Sequence, residues 1–292
     1  IAPYAFANTG VTDVNLPSGL ETIGDYAFYS ATKLVDITIP GSVKTIGVGA
    51  FRDCWKMTKA TLPEGLETIP RECFIGCRKL ESVNIPDSVT TIGNMAFTGC
   101  ALKEINISKN LTEISIPGYT FSGCPAAITV DAANPNYSAD ERGVLYNKDK
   151  SLLLHCPNFE KAFTFDINCN IDQYAFYNCA NLTDVTFSYA IKKIPYAALR
   201  NCGSLKITTV PDTVRMIDQV AFDGCGMTEF YLPDSVEYVG TQAFSSTPLT
   251  HFEFNDKVDT FKNIFSICPK LRTVVVGKGI KKIEIGALGG TN

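Results

Sequence analysis

The chain has 292 residues, 45% of them hydrophobic, and a formal net charge of −4. That is enough apolar material for a sizeable core, and the mildly acidic balance leaves no basic footprint for nucleic acid or an anionic membrane. No apolar run approaches the ~18 residues of a transmembrane helix, so the chain is read as not membrane-spanning.

The first residues already belong to a pattern. Tyr4-Ala5-Phe6 opens it, with no signal-peptide pattern before it. We therefore read the chain as a processed or trimmed product whose targeting segment is gone. The phenylalanine of this motif recurs at Phe28, Phe51, Phe74, Phe97 and Phe121, with spacings of 22, 23, 23, 23 and 24. It resumes at Phe176, Leu199, Phe222, Phe244, Phe265 and Leu288, with spacings of 23, 23, 22, 21 and 23. A period this regular implies a solenoid, because one unit cannot bury its own apolar face and must stack on its neighbours.

One unit reads as follows. Leu34, Ile37 and Ile39 mark a short strand, which Pro40 ends because it has no N–H for a ladder. Gly41-Ser42 turns the chain. Val43 and Ile46 form a second short extended segment, and Gly47 breaks it. Val48 to Cys54 fits one or two helical turns, with Ala50, Phe51 and Cys54 inward at helical spacing. The expected fold is thus α/β: a right-handed solenoid of about eleven repeats of 22–24 residues, each with short parallel strands and a short helical turn. With parallel strands ~4.8 Å apart, the stack would be a curved rod roughly 50 Å long.

The expected organisation is a single solenoid over 1–292, with repeats at 1–124 and 163–292 and an insert at about 125–162. Asn134-Pro135-Asn136 is a turn signal there. Val144-Leu145-Tyr146 and Leu152-Leu153-Leu154 flank a polar Asn147–Ser151 tip and read as a β-hairpin. Repeat-like sequence returns at Phe163-Thr164-Phe165. The last units are degenerate around Phe261–Phe265, which fits either a capping role or a truncated array.

The pattern Leu-x-x-Ile-x-Ile-Pro-x-x-Val-x-x-Ile-Gly-x-x-Ala-Phe-x-x-Cys, clearest at Leu34–Cys54 and Leu80–Cys100, resembles the BspA-like, or Treponema pallidum type, leucine-rich repeat family. The segment Asn134-Pro135-Asn136-Tyr137 followed by Gly143–Lys148 is similar to one that recurs there. Leu199, Leu288 and the irregular unit at Phe265 depart from the pattern. The resemblance implies a leucine-rich repeat solenoid on a secreted or cell-surface protein, of the kind found in bacteria that colonise animals and in some parasitic protists. It implies adhesin or scaffold roles, and no residue-level site shared across the family.

Eight of the eleven cysteines sit three residues after the landmark: Cys54, Cys77, Cys100, Cys124, Cys179, Cys202, Cys225 and Cys268. They read as a reduced core ladder, since thiols pack as small apolar groups and an odd count does not make a fully paired framework. Cys73 lies four residues before Cys77, and Cys156 and Cys169 fall off the ladder. The two histidines, His155 and His251, have no zinc-ligand spacing. His155-Cys156 pairs a base with a nucleophile, but strand neighbours point to opposite faces. Gly277-Lys278-Gly279 lacks the context of a phosphate cradle. The sequence thus carries no catalytic, metal or cofactor constellation and specifies no oligomeric state.

What remains is a surface. Between the two inward residues before the proline lies one outward residue, and down the stack it reads Asn15, Thr38, Thr61, Asn84, Asn106, Thr164, Thr186, Thr209, Tyr231, Glu253, Val275. A polar column can hydrogen-bond a sugar or a protein, although any solvated strand face is polar and threonine favours strands in its own right. Exposed aromatics (Tyr4, Tyr26, Tyr29, Trp55, Tyr119, Tyr174, Tyr177) and the insert are further candidates. The functional expectation is a non-enzymatic binding or adhesion module for a protein or glycan. The alternatives are a structural spacer and an enzyme built on the insert.

Overall fold

A single apolar residue between two polar ones is enough to set each strand on the core. In the computed structural model, which describes residues 1–158 and 161–291, Asp36–Thr38 has Ile37 buried and its two neighbours exposed, and Asp184–Thr186 and Glu229–Tyr231 repeat the arrangement. These strands pair in parallel, so like positions stack: Ile37 on Ala60 on Val83, and Thr38 on Thr61 on Asn84. Pro40 ends its strand as expected, and its carbonyl closes the next turn by accepting the Val43 N–H at 3.0 Å. Two-residue strands follow the turn, at Thr22–Ile23, Thr45–Ile46, Thr68–Ile69 and Thr91–Ile92. They too pair in parallel, Thr22–Ile23 with Thr45–Ile46 and Thr68–Ile69 with Thr91–Ile92, along another side of the coil. Among the described residues the result is a parallel β-solenoid of about twelve turns with almost no helix.

The helical turn expected in each repeat is not there. Among the described residues the one α-helical segment is Pro117–Thr120. Val48–Cys54 and its equivalents instead alternate handedness: φ is +53° at Tyr26 and +52° at Ser30, and +59° at both Gly49 and Asp53. The hydrogen bonds explain why. The N–H groups of Tyr26, Phe28 and Ser30 donate to the carbonyls of Val48, Ala50 and Arg52 in the next turn at 2.7–2.8 Å. Those of Ala27, Tyr29 and Ala31 reach back three residues within their own turn. A helix would commit every N–H to its own axis, whereas this arrangement gives half of them to the neighbour. Gly93 has a different task. A Cβ there would lie 2.4 Å from the Arg71 backbone nitrogen, so the glycine permits the close approach of adjacent turns.

The landmark side chains form the core. Phe6, Phe28, Phe51, Phe74, Phe97 and Phe121 stack with ring centroids 4.9–6.1 Å apart and planes within 11°. Leu199 interrupts the later column; further along, Phe230 and Phe252 pack at steeper angles against Phe244, with centroids 4.7 and 5.0 Å away. All eleven cysteines are buried thiols. The Sγ atoms of Cys54, Cys77, Cys100, Cys202 and Cys225 lie 3.0–3.1 Å from the landmark carbonyl of the preceding turn. Thr247 occupies the same position and donates to the Phe244 carbonyl at 2.7 Å. Burial pushes the Cys124 and Cys169 thiols up to about 11 and those of Cys73, Cys77, Cys100 and Cys202 well above their ordinary value. Because the thiolate is the reactive form, Ellman's reagent should modify essentially none of the eleven in the native protein and all of them in denaturant. Rapid native labelling of several thiols would contradict this packing.

The chain divides into two compact units, Ile1–Asp149 with His155–Pro157, and Lys150–Leu154 with Asn158–Asn292. At the start of the expected insert, Ala127–Val130 pairs in parallel with Glu104–Ile107, so the repeat continues into that stretch. Tyr137–Ala139, which the sequence reading did not take as a strand, pairs antiparallel with Leu145–Asn147. The Asp140 carboxylate holds the turn between them by accepting the Arg142 and Val144 N–H groups at 3.0 Å. The turn signal at Asn134 is a buried hub. Its amide donates to the Ser108 and Leu111 carbonyls at 2.8 and 2.9 Å and accepts the Asn136 and Tyr137 N–H groups. Asn255 repeats this pattern with Pro233, Val236, Lys257 and Val258.

Candidate binding face

Strand alternation turns the residue between two inward positions out to solvent, and the parallel register stacks these residues into columns. Thr38, Thr61 and Asn84 stand in register. So do Thr164 with Thr186, and Tyr231 with Glu253 and Val275. Asn106 stands beside Thr129, which the sequence reading missed because it assigned that stretch to the insert. The signal was present in the alternation of Ile128-Thr129-Val130.

The side chains differ in how much they leave for a ligand. Asn84 is occupied: its amide accepts the Leu62 N–H at 2.8 Å and donates to the Leu62 carbonyl at 3.2 Å. Asn106 accepts the Thr129 hydroxyl, and Thr209 donates to the Tyr231 carbonyl at 3.0 Å. The Tyr231 hydroxyl donates to Glu229 at 3.1 Å, and that bond, with burial and the nearby carboxylates, raises its pKa. Flanking the column is a row of mixed charge that includes Asp36, Lys59 and Glu104.

Shallow grooves lie along these columns, two in the first unit and one in the second. Asn15 and Thr38 line one of about 320 Å³ with Asp13, Asp36 and Pro40. Asn106 lines one of about 340 Å³ with Glu81, Ser82, Lys103 and Glu104. Thr186 and Thr209 line the largest of the three, about 480 Å³, with Phe187, Tyr189, Asp212 and Thr213. Tyr189, 81% exposed, is a second residue the sequence reading passed over.

The other candidates sort differently. The histidine of His155-Cys156 is fully buried and held neutral, its pKa lowered to about 3 by burial, and Cys156 is buried beside it. Neither side chain meets solvent, so they form no catalytic pair. No group of His, Cys, Asp and Glu among the described residues is placed to hold a metal ion. Among the described residues no helix is long and apolar enough to cross a membrane. The aromatics beside the landmark pack on one another. Tyr4 and Tyr26 stack 5.3 Å apart, whereas Tyr26 and Tyr29, at 6.0 Å, and Tyr174 and Tyr196, at 5.4 Å, meet edge to face. Trp55 is half exposed.

Solved structures with the same coil accompany these observations. The chain is 26% identical to a leucine rich cell surface protein from Faecalibacterium prausnitzii (TM-score 0.65), covering 94% of this chain and 82% of that one. It is 21% identical to a leucine-rich repeat protein from Eubacterium ventriosum (TM-score 0.69), covering 89% and 83%. It is 19% identical to the pneumococcal vaccine antigen PcpA (TM-score 0.67), covering 97% of this chain and 64% of the antigen. The chain therefore spans about two thirds of the antigen's length. No curated protein matches the chain. Residues 1–128 and 169–292 match the BspA type leucine rich repeat region in six copies, and the chain belongs to that family.

Proposed function

We propose that this chain is a non-enzymatic binding or adhesion module of a secreted or cell-surface protein, and that it recognises a protein or glycan through the strand face of the solenoid. The observation that carries the reading is the register. Outward side chains at Thr38 and the half-buried Thr61, at Thr186, and at Tyr231 and Glu253 form columns rather than scattered points, and grooves open along them. A repeated, rigidly spaced polar surface suits an extended partner. Family membership and the likeness to a cell surface protein support the location.

The test is binding of the purified chain to arrays of extracellular-matrix proteins and glycans. Every hit is repeated with a Thr38→Arg/Thr61→Arg variant and with Thr186→Arg. Asn84 is left intact because its amide holds the Leu62 backbone. At least one variant should weaken each hit by about tenfold or more. Hits indifferent to both variants would move recognition off this face. An absence of any saturable hit would favour a spacer.

A further inference from the structure

The groove beside Tyr189 lies where residues 205–210 lack strand geometry, although the Thr208 carbonyl still accepts the Tyr231 N–H of the following turn at 2.8 Å. In the turn Leu205–Val210 the position filled by Val185 in the preceding turn and Phe230 in the following one is Thr208. A threonine there is a poor core residue. Ile207 is buried in its place, Thr208 is exposed, and the stretch has lost strand geometry. Among the described residues, no backbone hydrogen bond joins 207–209 to Asp184–Thr186. The gap is local. Lys206 N–H donates to the Thr183 carbonyl at 3.0 Å on one side, and Arg215 N–H to the Lys192 carbonyl at 2.8 Å on the other.

We propose that this gap is a subsite for a neutral sugar ring. The inference rests on the reading of the strand face as a binding surface and assigns one of its ligands. The Tyr189 ring, 81% exposed, stands at the rim with Phe187 beside it and offers an apolar plane to the C–H face of a pyranose. The polar groups around it suit hydroxyls. The Thr186 hydroxyl and the Asp212 carboxylate make no hydrogen bond among the described residues. The Thr209 and Thr213 hydroxyls already donate to the Tyr231 and Ile191 carbonyls, at 3.0 and 2.8 Å, which leaves their oxygens as acceptors. An apolar platform with a few convergent polar groups, in about 480 Å³, is the make-up of a small-ligand site.

Two other occupants fit less well. No lysine or arginine lines the groove, and one carboxylate does, so an anionic sugar or phosphate meets no counter-charge. An extended peptide would need the flanking turns held apart by two strand spacings, twice ~4.8 Å, and the bonds at Thr183 and Lys192 keep them adjacent.

The experiment is a glycan array carrying neutral, sialylated and sulfated oligosaccharides, read with the wild-type chain, Tyr189→Ala, Asp212→Asn and Thr38→Arg/Thr61→Arg, with a lysine-rich peptide as a separate probe. Neutral oligosaccharides should bind, with affinity falling about tenfold or more in Tyr189→Ala and in Asp212→Asn. Neutral binding that Tyr189→Ala leaves intact would overturn the proposal. So would binding confined to charged glycans or to the peptide. A ligand lost only in Thr38→Arg/Thr61→Arg would refute this subsite while leaving the binding face standing, whereas no ligand on any array would refute both.

Discussion

Replacing Phe97 by Ala should destabilise the protein by about 3–5 kcal/mol, the usual cost of emptying a core phenylalanine site. Phe97 is fully buried and stacks between Phe74 and Phe121, at 5.7 and 6.1 Å. The hole cannot close by settling, because the backbone around it is bonded turn to turn: Phe74 N–H to the Ala96 carbonyl at 2.8 Å, and Phe97 N–H to the Thr120 carbonyl at 3.1 Å. Stability in a stacked array is a sum of unit and interface contributions, so one missing ring weakens two interfaces. Denaturant unfolding followed by fluorescence or circular dichroism provides the measurement. Phe97→Leu is the control, since Leu199 is fully buried at the same position of its own turn; it should cost clearly less. A loss below about 1 kcal/mol in Phe97→Ala would mean that the ring is not a core residue.

The second large effect is a dependence on pH that belongs to one side chain. His155 is fully buried against the Phe121 ring, centroids 5.7 Å apart, and its Nδ1 has no hydrogen-bond partner. Burial penalises the imidazolium and lowers the folded pKa from 6.5 to about 3. The unfolded chain takes up a proton near pH 6.5 that the folded chain refuses until about pH 3. The contribution of His155 is therefore fully present above pH 6.5 and is lost as pH falls below it, by about 1.4 kcal/mol per pH unit, or roughly 2.7 kcal/mol at pH 4.5. Carboxylates titrate over the same range, so the readout is the difference between wild type and His155→Leu. At pH 7.5 that variant should be of similar stability or more stable, since an unsatisfied buried nitrogen is removed. The two stability curves should diverge as the pH is lowered from 6.5 to 4.5, the wild type losing about 2.7 kcal/mol more than the variant. Parallel curves over that range would show that His155 is not held neutral by the fold.

Much of this molecule is legible in one dimension. The 22–24-residue spacing of Phe6, Phe28, Phe51 and their successors requires a stacked coil. The Ile37-x-Ile39-Pro40 alternation places a strand and its end, and the regular offset of Cys54, Cys77 and Cys100 from the landmark predicts a buried column. These follow from local periodicity, which a repeat presents many times over. The outward positions at Thr38, Thr186 and Glu253 were legible for the same reason.

The tertiary structure decided what local spacing leaves open. Ala50, Phe51 and Cys54 have the i, i+1, i+4 spacing of a helix face, yet the chain alternates handedness, because half of its N–H groups bond to the adjacent turn and no local pattern records a neighbour's carbonyls. Whether Asn84 faces a ligand or the Leu62 backbone, and whether Thr129 belongs to an insert or pairs beside Asn106, were likewise set across turns. At 205–210 the count from the landmark turns Thr209 outward, and the residue is exposed, but the count did not show the strand geometry lost there. Thr208 stands where its neighbours have Val185 and Phe230, and burying Ile207 instead removes strand geometry whose loss appears only against the turns on either side. A repeat determines its own period; the exchange of hydrogen bonds and side chains between copies determines the surface that the period leaves exposed.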